Sequence, residues 1–174
     1  MLVHVEREDG PKVRRRRRIL YGVTTAVLAG LLLVAVSDVF TDSLGVDSAT
    51  VTVRAVDGST LTVEHPSTTR PALASPFSVE VVRPGGFDGP IEIAVSRPWI
   101  EVWDENGFYP TPSGETGDAD WVVWEFDPPD GDRFRFFYDA RLEPARQWGI
   151  DGAVELRDGA ATLARVDFRT NVRP

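Results

Sequence analysis

An uncharged run of nineteen residues, Ile19 to Ser37 (ILYGVTTAVLAGLLLVAVS), follows directly on five consecutive arginines, Arg14 to Arg18. As a helix rising about 1.5 Å per residue, it covers roughly 28 Å, close to the ~30 Å hydrocarbon core of a bilayer. The run predicts a membrane span, so everything after it must fold on one side of that membrane.

Charge sets the expected orientation, because basic residues flanking a span stay in the cytoplasm and acidic ones count for little. Residues 1–18 carry seven Lys/Arg against three Asp/Glu, whereas residues 38–174 carry twelve against twenty-four. The expectation is a single-pass protein of the cell membrane with its N-terminus cytoplasmic and its C-terminal domain extracytoplasmic. Ala35 and Ser37 have the spacing of a signal-peptidase site, which makes cleavage before Asp38 the alternative. The run is longer than the roughly 7–15 residues of a signal h-region and stays apolar to its end, so a retained signal anchor is expected. The resulting organisation is a basic tail over 1–18, a transmembrane helix over 19–37, an exit linker over 38–48 and a domain over 49–174. The tail is too short for a signalling domain of its own, and Arg14–Arg18 suit anionic lipid headgroups of the inner leaflet. Gly22, Ala26 and Gly30 fall at i, i+4 and i+8, which places three small residues on one helix face and predicts packing against a partner helix or a second copy.

Beyond the linker the hydrophobic period changes to two, the mark of half-buried strands. ATVTVRAV and STLTVEH flank Asp57-Gly58, a pair suited to a tight hairpin turn. The proline-rich connection HPSTTRPALASP leads to FSVEVVRP, and IEIAVSRP, WIEVW, WVVWEF, RFRFFYDARL, GAVELRD and ATLARVDFR continue the pattern, separated by Pro- and Gly-containing turns, the polar loop SGETGDAD and, before the last, an Asp158-Gly159 hairpin turn. About nine short strands with no amphipathic helix outside the membrane predict an all-β domain, a single antiparallel β-sandwich, with a barrel as the alternative. Alternation directs Val51, Val53, Leu61, Val63, Phe77, Val79, Ile91, Ile93 and Val122 inward. It directs Trp124, Phe126, Phe134, Phe136, Tyr138, Val154, Leu156, Val166 and Phe168 inward as well. The segment Trp124–Ala140, WEFDPPDGDRFRFFYDA, resembles in outline the strand, Pro/Gly corner and Phe/Tyr strand of immunoglobulin-like and fibronectin-like domains. The likeness lacks their paired cysteines and implies architecture alone.

Little in the chain supports catalysis. There is no cysteine, and the single lysine, Lys12, and one of the two histidines, His4, lie before the span, leaving His65 alone beyond it. Ligands for a blue-copper centre are missing, as are a GxSxG elbow and an SxxK pair for a serine nucleophile. The glycine-rich turns open no helix that could cradle phosphate. The acidic exported part argues against nucleic acid as a partner. No enzyme and no cofactor are therefore expected. Asp127, Asp130 and Asp132 in DPPDGD form a weak calcium candidate, although Asp in such turns commonly caps its own backbone.

The sharpest surface candidate comes from the tryptophans. If WIEVW and WVVWEF are neighbouring strands, Trp99, Glu101 and Trp103 share one face and meet Trp121 and Glu125 in an exposed aromatic and acidic platform. The competing expectation puts Trp99 and Trp103 in the core. The functional expectation is a non-catalytic accessory or assembly subunit of a membrane complex. The alternative is a recognition module for glycan or another envelope polymer. For topology, a cysteine at Ser113 is expected to react with a membrane-impermeant thiol reagent on cells with a permeable outer envelope, and one at Val3 is not. Labelling at Val3 alone reverses the orientation, and a mature chain starting at Asp38 means the anchor is removed.

Overall fold

A computed structural model describes residues 11–36, 46–145 and 148–173. The chain divides into two compact units, one carrying the N-terminal helix and the other carrying every strand. Residues 1–10 of the basic tail, the Ser37–Asp38 junction and most of the exit linker lie outside the described residues.

The first unit is α1 (Pro11–Val36). It is long and apolar enough over Lys12–Val34 to cross a membrane. The helix includes Arg14–Arg18 as well as the apolar run to Val36. At 100° per residue, five successive arginines point to all sides of the axis.

The second unit is mostly β. Its strands are β1 (Asp47–Arg54), β2 (Thr60–Thr69), β3 (Ala74–Val82), β4 (Ile91–Ser96) and β5 (Trp103–Tyr109), then β6 (Gly114–Gly117), β7 (Trp121–Phe126), β8 (Arg133–Leu142), β9 (Ile150–Asp158) and β10 (Ala161–Val172). A short helix, α2 (Arg97–Ile100), interrupts them between β4 and β5. In place of a purely antiparallel sandwich, the strands join one curled mixed sheet, a half-barrel, in the order β5-β8-β3-β2-β10-β9-β4-β7-β6, with β1 also on β2. The cause is β10. It pairs antiparallel with β9 from Ala161 to Thr170, then its last two paired residues, Asn171 and Val172, run parallel to Thr68 and Thr69 of β2.

The two Asp-Gly hairpins form as read, with Gly58 and Gly159 both at positive φ. At the first, burial pushes the Asp57 carboxyl up, but the Ser59 N–H and hydroxyl and the Arg83 guanidinium outweigh this and hold it below the usual carboxylate range. Three segments depart from expectation. β2 continues through Pro66 to Thr69, so the proline-rich connection shrinks to residues 70–73; a register shift in β1 between Asp47 and Ser48 lies beside that proline, which has no N–H to give. WIEVW is α2 followed by a turn, with Pro98 in the first helical turn. Part of the polar loop SGETGDAD pairs with β7 as the edge strand β6.

Every residue assigned inward by alternation is buried except Val51 and Val53, which are half-buried because β1 pairs with β2 alone. Trp99, Ile100, Trp103, Ala140, Leu142 and Ile150 join the core, as do Ala55, Val81, Val95 and Ala164. Rings from the two ends of the strand order meet inside the curl: Phe108 of β5 lies 4.7 Å from Trp124 of β7, and Phe126 of β7 stacks 4.9 Å from Phe136 of β8. Gly152 of β9 makes room for this packing, because a Cβ there would meet Phe168 ring atoms at 2.5 and 2.6 Å and Trp99 Cδ1 at 2.8 Å. Gly152→Ala is therefore expected to destabilise the β domain by about 1–3 kcal/mol, lowering Tm by about 3–4 °C per kcal/mol. Gly89→Ala, with open space around it, is the control that should leave Tm unchanged. Equal melting of the two variants contradicts the packing.

Candidate functional site

The structure does not bring the five platform residues together. Trp99 and Trp103 are 1% and 7% exposed, because α2 and the turn after it break the strand alternation that the platform needs. Glu101 is exposed beside Arg97, one helical turn back, at 3.4 Å. Trp121 and Glu125 do share the outer face of β7, yet β7 and β5 lie near opposite ends of the strand order.

Trp99 is instead a core anchor. Its ring lies 4.8 Å from Phe77, 5.2 Å from Trp103 and 5.3 Å from Phe168. Its Nε1 donates to Thr170 Oγ1 (3.1 Å), which donates to the Pro66 carbonyl (2.8 Å). His65 Nδ1 donates to the same oxygen (3.2 Å), and its ring stacks 4.4 Å from Phe168. Burial pushes the His65 pKa down, against a smaller upward pull from the Pro66 hydrogen bond, so the buried imidazole favours its neutral form.

Trp121 belongs to a cluster that the sequence reading missed. Arg157 of β9 and Arg165 of β10 approach its ring at 4.9 and 5.3 Å, and both guanidinium groups bind the Glu155 carboxylate, at 2.7 and 3.1 Å. Thr162 Oγ1 donates to Glu155 as well (3.2 Å). Glu155 is buried although it points outward from the sheet, as are its neighbours Ala94 and Ala153, because this layer of long side chains covers them. Arg165 also donates to Asp167 Oδ1 (2.7 Å), which holds that carboxyl below its usual range. The charges of the cluster cancel, and both guanidinium groups are paired with carboxylates within it. It is a lid on the sheet. The readable signal was alternation: Glu155, Arg157, Arg165 and Asp167 all fall on the polar phase of β9 and β10.

The opposite stretch of sheet offers an open surface. On the outer face of β2, β3 and β8, a cleft of about 240 Å³ is lined by Thr50, Thr62, Glu64, Ser78, Glu80 and Arg135. A second groove of about 410 Å³ shares Glu64 and Ser78 with it and continues over Pro76, Phe137 and Asp139. Phe137 is 45% exposed and Tyr109, its cross-strand partner on β5, is 77% exposed. Alternation could have found this pair, since the inward assignment of Phe136 and Tyr138 leaves Phe137 outside.

Among the described residues no three His, Cys, Asp or Glu side chains are grouped as a metal site, Asp127, Asp130 and Asp132 included; Asp130 and Asp132 line an open groove with Asp88. In the other acidic loop, Asp118 Oδ1 accepts from the N–H groups of Asp120 (2.8 Å) and Trp121 (2.9 Å), and these bonds hold its carboxyl below the usual range. On α1, Gly22, Ala26 and Gly30 are all exposed, with open space beside both glycines.

Removing the Glu155 charge leaves Arg157 without its carboxylate while Arg165 keeps Asp167, so Glu155→Gln is expected to cost the β domain about 1–3 kcal/mol in chemical unfolding. Trp121→Ala is expected to cost about 1–2 kcal/mol. Because both act through Arg157 and Arg165, the double variant should lose less than the two singles added. Strict additivity, or single variants as stable as the parent, contradicts a shared lid. Comparison of the sequence with protein-family models and with curated proteins finds no match.

Proposed function

We propose that this chain is a single-pass membrane protein with its N-terminus in the cytoplasm, whose exported β domain works by binding, as an accessory or assembly subunit of a membrane complex. The observation that carries this reading is the uncovered strip of Gly22, Ala26 and Gly30 on a helix long enough to span a bilayer. Small residues on one face let two helix backbones approach closely, which is how helices associate where lipid removes the hydrophobic driving force. The helical arginines Arg14–Arg18 fit the phosphates of anionic inner-leaflet lipids and would hold the helix at a fixed depth. Contacts between the rings of β7 and those of β5 and β8 favour an immunoglobulin-like, two-layer closure of the curled sheet, a rigid platform for binding. No catalytic step enters the proposal.

A second reading, recognition of an envelope polymer, is favoured by the grooves around Glu64 and Ser78 and the exposed pair Tyr109 and Phe137.

The assembly reading is tested by purifying the tagged full-length chain in mild detergent and identifying what co-purifies. A stoichiometric membrane partner, or a second copy, is expected. Gly22→Ile combined with Gly30→Ile should reduce its recovery strongly while the β domain melts as in the parent. Undiminished recovery with the doubly substituted helix removes the small-residue face from the account.

A further inference from the structure

We propose that the outer face of β1, β2, β3, β8 and β5 is a binding site for a neutral polysaccharide. The inference rests on the recognition reading and is independent of whether the membrane helix has a partner.

The site is built by register. Thr50, Glu64, Ser78, Phe137 and Tyr109 are successive cross-strand neighbours, so one row of outward side chains crosses five strands, polar at one end and aromatic at the other. At about 4.8 Å per strand, the row is roughly 19 Å long. Thr52, Thr62, Glu80 and Arg135 make the next row on the same face. Hydroxyl and carboxylate oxygens therefore run alongside an aromatic step. A sugar chain asks for this combination, because each pyranose ring has an apolar C–H face for stacking and a rim of hydroxyls for hydrogen bonding.

The polar groups are held in place before any ligand arrives. Arg135 Nη2 donates to Glu64 Oε2 (3.1 Å) and to Ser78 Oγ (2.9 Å), and its guanidinium lies 4.6 Å from the Phe137 ring centre. Ser78 Oγ donates to Glu64 Oε2 (3.1 Å). Arg135 thus fixes Phe137 as the floor of the groove, and Tyr109 beside it is the exposed ring. Binding to such a surface loses little side-chain entropy.

Charge decides what kind of chain fits. Glu64, Glu80 and Asp104 each pair with an arginine of β8, at 3.1, 2.7 and 3.4 Å, and Asp139 adds a further carboxylate to the groove, so these rows carry no surplus of positive charge. The exported part as a whole carries twelve Lys/Arg against twenty-four Asp/Glu. A polyanion is repelled by that surplus and meets no unpaired cluster of cations in these rows, while a polycation is drawn to the acidic remainder of the domain in preference to this face. An uncharged, polyhydroxylated polymer is the class for which this face is complementary.

The test uses the full-length chain in phosphatidylcholine nanodiscs, exposed to beads bearing dextran, a β-glucan, a mannan or a galactan, with polygalacturonate and chitosan as charged controls. At least one neutral polymer should retain the protein, with retention unchanged from roughly 50 to 500 mM salt. Tyr109→Ala with Phe137→Ala should weaken that retention about tenfold or more. Tyr109 is 77% exposed, so Tyr109→Ala alone should melt as the parent does and provides the same readout with a smaller change, whereas removing the Phe137 ring from beneath Arg135 should lower the Tm of the double variant modestly. Four results overturn the proposal: no retention by any neutral polymer, retention by charged polymers only, equal retention of parent and both variants, or loss of a co-purifying protein in the variants without any polysaccharide binding. None of these depends on the Gly22 and Gly30 variants, so the assembly reading fails or stands separately.

Discussion

A chain of two buried hydrogen bonds, from the Trp99 indole to Thr170 and from Thr170 to the Pro66 carbonyl, joins three segments that are remote in sequence. It ties α2 to the end of β10 and to β2. There β10 leaves its antiparallel partner and continues parallel to β2, closing what would otherwise be two separate ladders into one curled sheet. A buried indole N–H without an acceptor costs about 1–3 kcal/mol, so the position of Thr170 and the burial of Trp99 depend on each other. Around this pin, Phe77, Trp103 and Phe168 fill the space with rings, and Gly152 keeps it open on the β9 side.

With the core fixed in this way, the two outer faces of the sheet diverge. Over β4, β9 and β10, Trp121, Arg157, Arg165 and Glu155 fold down and consume one another's hydrogen-bonding capacity, which buries Ala94 and Ala153 beneath them. Over β2, β3 and β8, Thr62 and Ser78 alternate with Glu64, Glu80 and Arg135, and these pair so as to leave a concave surface with two aromatic rings at its edge. One sheet thus carries a sealed face and an open one, and the difference comes from which side chains meet across the strands.

The long apolar helix, the two Asp-Gly hairpins and nearly the whole core were legible in the sequence, because each is written in local period or in a turn pair. The strand of Phe134, Phe136 and Tyr138 shows why: its alternation survives unbroken from Arg133 to Leu142. What was not legible depends on long-range meetings. Trp99 and Trp103 sit two and six residues from Arg97 in a segment that alternates like a strand, and only the acceptor on Thr170, seventy-one residues away, shows that the indole turns inward. The mixed sheet was hidden for the same reason, since two paired residues at the end of β10 make the parallel contact. The outer cluster was hidden by its composition, for Glu155 and Arg157 look like an ordinary solvated strand face until Trp121 is placed over them.

The most direct test of this architecture is hydrogen exchange of the five tryptophan indole N–H groups in the folded β domain, followed by NMR. The account predicts that the Trp99 indole exchanges only through global unfolding, as slowly as the most protected core amides, while the Trp148 indole, on a side chain 77% exposed, exchanges at the rate of a free peptide. Exchange of Trp99 as fast as Trp148 would contradict the buried pin and with it the closure of the sheet.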